Sequence, residues 1–392
     1  MKQIYFDNAA TTSVDERVYE AMKPYFCEIF GNSHAIHSLG QAALSAVEQS
    51  RETVADFFGA KNQEIIFTSG ASESNNLAIQ GVANYFFEQN KKIHIITSKI
   101  EHPSVLEVFK ALAKRGVEVS FVDVDKDGVV DLSKLQKAIK ANTALISIMY
   151  ANNEVGSIQP IAEIGKLVSR EREKREAKGL PIYFHCDAVQ AVNYLSCNVD
   201  ELGVDLLSVS GHKFYGPKGI GVLYLRKGVK ISPVQFGGHQ EFNLRPGTLS
   251  VPLIVGLAKA LQLIKDEKQK NIKKVVKIKE KIYHELEKFS LVKFNGDQER
   301  QIPSIINVSF KNAEGESILM MLDMEGVAIS TGSACSSGSL EPSHVLTAMG
   351  NPPEWSHGSI RISLSKNNSE VEVGVFIKAL QIIIKKLRDM AP

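Results

Sequence analysis

An α/β fold with a largely parallel sheet, joined to a smaller α+β domain, is predicted by two features of the sequence. Apolar, β-branched runs alternate with helical patterns over the first part of the chain, and that alternation is the signature of strands linked by crossover helices. From about Val251 the pattern becomes one long helical stretch, followed by a few strands and a last helix. A chain of 392 residues is also too long for one small core and suits a large domain with a smaller companion.

The strands are read in order at Ile65–Thr68, Ile93–Thr97, Val117–Val124, Ala144–Met149, Ile182–His185, Leu206–Ser210 and Gly221–Leu225, which makes a mostly parallel, seven-stranded sheet. Helical spacing occupies Ser104–Arg115, Leu132–Lys140 and Ile161–Lys178. The mixed charge run from Arg170 to Glu176 reads as a solvated helix face. Between Val251 and Phe289 one long helix, or two in tandem, carries a stripe of Ile272, Val275, Val276, Ile282 and Leu286 among many lysines. Strands at Ile305–Phe310 and Ile360–Leu364 and a helix from about Ser369 to Arg388 complete the smaller domain. The domain boundaries expected are 15–260 for the large unit and 1–14 with 261–392 for the small one, the two opening helices leaning back toward the latter.

Composition narrows the function. Hydrophobic content of 44% and charged content of 23% are those of an ordinary globular protein. A net charge of +2 gives no argument for nucleic acid or an anionic membrane surface. The first residues, Met1 to Asn8, hold no apolar core of signal-peptide length, and no span is long enough to cross a bilayer, so a cytoplasmic enzyme is expected. Four cysteines, Cys27, Cys186, Cys197 and Cys335, fit neither metal-ligand spacing nor a disulfide framework, and no metal is expected. Cys27 and Cys186 read as buried small hydrophobes. Cys335 differs, because it lies between Thr331-Gly332-Ser333-Ala334 and Ser336-Ser337-Gly338-Ser339.

The chemistry is concentrated where strands stop. Lys213, in Ser210-Gly211-His212-Lys213, ends an apolar strand beside a glycine, which suits an amine that must form a Schiff base. Asp187, in His185-Cys186-Asp187-Ala188-Val189-Gln190, follows the preceding strand and suits the pyridinium nitrogen of pyridoxal 5'-phosphate. Gly70-Ala71-Ser72 opens a helix after a strand, a setting in which backbone amides and a hydroxyl hold phosphate. His102, in Glu101-His102-Pro103-Ser104, can lie over a flat ring and shuttle protons. Asn153, in Asn152-Asn153-Glu154, can bond a substrate carboxylate or the cofactor's phenolate oxygen. Each segment alone has an ordinary reading as a cap, a turn or a surface residue. Together, at the carboxyl ends of successive strands, they form a pyridoxal-phosphate site.

With these motifs, Tyr5 to Thr12, Gly31-Asn32-Ser33, Gly247-Thr248, Gly332-Ser333-Ala334-Cys335 and Ile360-Arg361, the chain resembles the cysteine desulfurases, and most closely the branch supplying sulfur for iron–sulfur clusters. The resemblance runs from Tyr5 to about Arg388. It implies the aspartate-aminotransferase fold (fold type I of the pyridoxal-phosphate-dependent transferases) and a homodimer with sites near the subunit interface. It further implies that Lys213 is the Schiff-base lysine, Asp187 the pyridinium partner and Gln190 the contact of the phenolate oxygen. Ala71, Ser72, Ser210 and His212 are similar to the phosphate-binding positions, and Thr248 to a threonine reaching that phosphate from the other subunit. His102 is similar to the ring-stacking histidine, and Asn153 and Arg361 to the substrate-carboxylate contacts.

By the same resemblance Cys335 takes sulfur from L-cysteine, leaving L-alanine and a persulfide. An iron–sulfur scaffold protein or another acceptor, such as one for transfer RNA thiolation, receives the sulfur. Ser72 stands where many relatives carry threonine, which keeps the hydroxyl. His239, Phe242 and Asn243 depart from the usual glycine and basic positions of that segment, and some relatives continue past the equivalent of Pro392 with a scaffold-docking tail. Another pyridoxal enzyme of the same superfamily, an aminotransferase or a selenocysteine lyase, is the alternative, but a transaminase would not need Cys335 in its Gly/Ser loop. A non-catalytic scaffold would have no use for Lys213, Asp187, His102 and Cys335 together.

Overall fold

A computed structural model describes residues 3–175, 179–331 and 342–390. Its central sheet has seven strands in the order Ile65–Thr68, Gly221–Leu225, Leu206–Ser210, Tyr183–Asp187, Thr143–Ser147, His94–Ser98 and Glu118–Val122. Gly221–Leu225 is antiparallel to both neighbours, and every other pairing is parallel. Six strands therefore run the same way and end on one edge, where Gly221 also begins, facing Thr68 on one side and Ser210 on the other.

Period-two alternation sends successive side chains to opposite faces. Ile65 and Phe67 enter one apolar layer and Ile66 the other, as do Ile146 and Leu145, or Leu207 and Leu206. Both faces are covered, which is why these strands read as continuous apolar runs. One layer is roofed by the helix Ser38–Phe58 (Ala43, Val47, Val54, Phe58), by Ile161–Lys174, and by the first half of a long helix. The other is roofed by the helices Ala71–Phe87 and Pro103–Lys114.

The long helix is one piece, Val251–Leu286, 36 residues. Ile254, Leu257, Leu261 and Ile264 lie in the first core, while Val275, Ile278, Ile282 and Leu286 lie in a second. Ile272 and Val276, expected in the stripe, are half-buried. The second core also holds the antiparallel sheet of Val292–Phe294, Ile305–Phe310 and Ser359–Ser363 and the helix Glu370–Met390. Ile4–Tyr5 pairs in parallel with Val327–Ala328, bringing Ile4 and Phe6 into this core.

Three expectations are corrected. The opening helix Glu16–Met22 does not join the smaller unit; Val18 and Met22 pack in the first core. Cys27 is exposed, because Pro24–Cys27 is a single turn with no buried residue. The charged helix face is also less free than its pattern suggests. Arg175 donates to the carbonyls of Thr143 (2.6 Å) and Lys140 (2.7 Å), and Arg172 to that of Ile182 (2.9 Å) and to Asp205. Among the described residues no helix is long and apolar enough to cross a membrane, and no His/Cys/Asp/Glu group has the makings of a metal site.

Candidate active site

At the carboxyl edge of the sheet lies a cavity of about 610 Å³. Its floor comes from consecutive strand ends. Tyr183–Asp187 delivers Asp187, with Val189 and Gln190 beyond it. Leu206–Ser210 delivers Ser210, His212 and Lys213. Ile65–Thr68 leads to Gly70, Ala71 and Ser72, the strand Thr143–Ser147 to Met149 and Asn153, and His94–Ser98 to His102. Arg361 enters from the small antiparallel sheet.

The helix Ala71–Phe87 starts on Gly70, whose φ of +155° and lack of a side-chain cap leave first-turn amides to the cavity. A glycine is required opposite as well: a Cβ on Gly221 would lie 2.6 Å from the Cα of Gly70. Ser72 and Ser210 add hydroxyls at this end. His212 has its pKa pushed down to about 4 by burial and by the charges of Lys213 and Lys218, and its Nδ1 lies 3.1 Å from Thr11 Oγ1.

The Asp187 carboxylate, buried, accepts from Asn75 Nδ2 at 2.8 Å and from the Val189 amide at 3.1 Å. Lys213 Nζ donates to the carbonyls of Ala9 and Ala10, both at 2.7 Å. Gln190 Nε2 donates to Ala9 as well, at 3.0 Å. His102 caps the helix Pro103–Lys114 by accepting the Ser104 amide at Nδ1, 3.1 Å. Burial depresses its basicity; the neighbouring charge of Asp187 opposes that effect, and Lys213 and His344 add to it. Arg361 is buried, with Nη2 on Asp7 Oδ1 at 2.7 Å and Nη1 on the Asn153 carbonyl at 2.9 Å. Its Nε is buried without a partner among the described residues.

Ala71, Ser72, His102, Asn153, Asp187, Gln190, Ser210, His212, Lys213 and Arg361 thus line one cavity. Thr248 does not; it is exposed, outside the cavity walls. Cys335 lies outside the described residues. Sequence reasoning gave no role to several neighbours that the fold brings in. Asp7 sits 354 positions from Arg361, and Ala9 and Ala10 about two hundred from Lys213; such separations leave no local signal. Two buried acids stand behind the wall. Glu101 is pushed up to about 8 by burial, and Glu154 up to about 7 by the same cause. Glu154 accepts from Ser343 Oγ at 2.5 Å.

The class-V aminotransferase family model matches residues 4–376. The cysteine desulfurase IscS of Dictyoglomus turgidum is 50% identical, the match covering 100% of this chain and 97% of that one. The IscS of Methanosarcina thermophila is 46% identical over 100% and 94%. A solved NifS-like protein superimposes with a TM-score of 0.91 at 39% identity, covering 98% and 100% of the two chains. With its fold, its cavity and these relatives in agreement, the chain belongs to the class-V aminotransferases, among the cysteine desulfurases.

Proposed function

We propose that the chain is a pyridoxal-phosphate-dependent cysteine desulfurase that converts L-cysteine to L-alanine and an enzyme-bound persulfide. The observation carrying this reading is the convergence of Lys213, Asp187, His102 and an uncapped helix start on one cavity.

The donor set fits the cofactor. Uncapped amides at Ala71 and Ser72, with the hydroxyls of Ser72 and Ser210 and the ring of His212, suit a phosphate. Thr248 of a second copy would add a donor in a homodimer. The Asp187 carboxylate suits a protonated ring nitrogen, Gln190 the phenolate oxygen, and Lys213 the aldehyde. When bound, the cofactor supplies an electron sink for the carbon skeleton of the substrate.

The chain's own residues do the rest. Arg361 and Asn153 orient the substrate carboxylate, because a planar guanidinium presents parallel donors. His102 and Lys213 move protons between the substrate's carbons and its thiol. The Cys335 thiolate takes the sulfur: a bond forms between its Sγ and the substrate sulfur as the carbon–sulfur bond breaks. The bonding pair stays on carbon, which takes up a proton and leaves as alanine. A scaffold for iron–sulfur cluster assembly or a transfer RNA thiolation protein then receives the persulfide. Residues 15–260 would form the cofactor-binding domain, and residues 1–14 with 261–392 the domain that carries Cys335.

Purified protein given pyridoxal phosphate and L-cysteine tests this. Wild type is expected to show the visible absorbance of a lysine-bound cofactor, release alanine and carry a persulfide on Cys335 by mass spectrometry. Lys213→Ala should lose the absorbance and the alanine, whereas Cys335→Ser should keep the absorbance and lose the persulfide. A borohydride-reducible cofactor bond in Lys213→Ala, or a persulfide on Cys27, Cys186 or Cys197 with Cys335 unmodified, contradicts the assignment.

A further inference from the structure

A line of hydrogen bonds behind the cavity joins Asp187 to His102. Asn75, fully buried on the helix Ala71–Phe87, donates from Nδ2 both to Asp187 Oδ2 (2.8 Å) and to Ser104 Oγ (2.9 Å). Ser104 Oγ lies 2.8 Å from His102 Nδ1, and the Ser104 amide donates to that same nitrogen. The direction of each bond is set by the chemistry. Turning the Asn75 amide over would aim its oxygen at a carboxylate, so the NH₂ group faces Asp187 and Ser104. Ser104 Oγ therefore accepts from Asn75, and its own proton is left for His102 Nδ1. That nitrogen then receives two donors, and the neutral imidazole carries its proton on Nε2. Asn75 Oδ1, buried with no partner among the described residues, shows that this amide is placed for its donors alone.

We propose that Asn75 and Ser104 are positioning residues that tie Asp187 to His102 and hold the imidazole as its neutral Nε2–H tautomer. The inference rests on the roles given to Asp187 and His102 above. A proton added at Nδ1 would strip the helix Pro103–Lys114 of its cap and set a cation at its positive end. Among the described residues, the charged and titratable groups acting on the ring include Asp187, which favours protonation, and Lys213 and His344, which oppose it. Burial is the larger influence and disfavours the charged ring, the attraction of Asp187 works against it, and the two bonds at Nδ1 add to the preference for the neutral form. A proton that leaves the neutral ring through Nε2 must be matched by one taken up at Nδ1, so the two bonds at Nδ1 set how readily His102 exchanges protons.

The test reads the ring directly. In protein carrying ¹³C,¹⁵N-histidine, with the His102 signals assigned by their loss in His102→Gln, the wild type is expected to be the Nε2–H tautomer near neutral pH. Ser104→Ala removes a donor that favours the neutral ring, so the His102 titration midpoint should rise by about 0.5–1 pH unit. Ser104→Thr should restore it. Asn75→Leu frees the serine hydroxyl to turn and accept from a protonated Nδ1, so the midpoint should again rise. Because Asn75 acts through Ser104, the double variant should move no further than Ser104→Ala. The acid limb of kcat should follow the same midpoint, which a purely structural role would leave in place. An Nδ1–H tautomer in the wild type, or an unmoved midpoint in folded Ser104→Ala, overturns the proposal; if Asn75→Leu fails to fold, the two Ser104 variants decide. A shifted midpoint in a protein that releases no alanine from L-cysteine keeps the relay and rejects the function. An active enzyme with an unmoved midpoint does the reverse.

Discussion

Arg361 is gripped from behind: Asp7 and the Asn153 carbonyl hold its two terminal nitrogens, so the fork has a fixed heading before any substrate arrives. A lysine in its place supplies one point charge and cannot satisfy both partners while also meeting a carboxylate in parallel. Arg361→Lys should raise the KM for L-cysteine about ten- to hundredfold, the range expected for lost charge-assisted hydrogen bonds. Cofactor absorbance should stay as in the wild type, and an unchanged KM would place Arg361 outside the substrate site. At this scale the sequence showed residue types but not partnerships. Lys213, Asp187 and His102 were legible because each stands at or a few residues past the end of a strand. Arg361 was marked only by resemblance, and Asp7 and Asn75 had no role, since what defines them is a neighbour far away in the chain.

At the scale of elements, the turn Glu241-Phe242-Asn243 has three consecutive residues at positive φ, 41°, 58° and 64°. Left-handed backbone costs about 1–2 kcal/mol per residue with a Cβ, so something must hold this turn in place. Glu241, buried, accepts from Arg51 Nη2 (2.7 Å), Arg51 Nη1 (3.0 Å) and the Phe67 amide (2.6 Å). Arg51 also donates to the Ile65 carbonyl at 2.7 Å and lies against the rings of Phe67 and Phe242. The strand that leads to Gly70 is thereby bolted to the turn that leads to Arg245, which pairs with Glu73 at 2.9 Å. Arg51→Met would leave a buried carboxylate unpaired and should cost about 3–5 kcal/mol, read as a fall in the urea midpoint at constant slope. A loss below about 1 kcal/mol would mean that the ion pair does not hold the turn. Sequence patterns reveal strands and helices through their periodicity, and the seven central strands were readable on that basis. They say nothing of a left-handed turn built without glycine. The pairing of Ile4–Tyr5 with Val327–Ala328 is equally silent, being two residues long.

Across the whole molecule, buried titratable groups set opposing pH limits. His94 and His212 are pushed down to about 4 and His185 to about 3, burial being the main cause in each. They bind fewer protons folded than unfolded, so stability falls as pH drops below about 6.5. Glu101 and Glu154 act in the other direction. The unfolded carboxyls ionise near 4.5, the folded ones only at about 8 and about 7, so stability is full below about 4.5 and declines as pH rises toward those values. Glu154→Gln cannot ionise and should remove its share of the alkaline decline. Wild type should be the more stable near pH 5, and the gap in Tm should close or reverse by about pH 8. A gap of constant size across that range would show that Glu154 does not titrate there. The stretch Ile4 to Thr12 also ties the molecule together: it pairs with Val327, grips Arg361 through Asp7, bonds Ser363 through Asn8 and reaches His212 through Thr12. A growing polypeptide makes that stretch hundreds of residues before Val327, Arg361 and Ser363 exist. The first core can assemble as its segments emerge, since its strands and helices lie between Val18 and Ile264. The pocket cannot, because its opening wall must wait for the strand Ser359–Ser363, so on the ribosome the first core can form well before the site is complete.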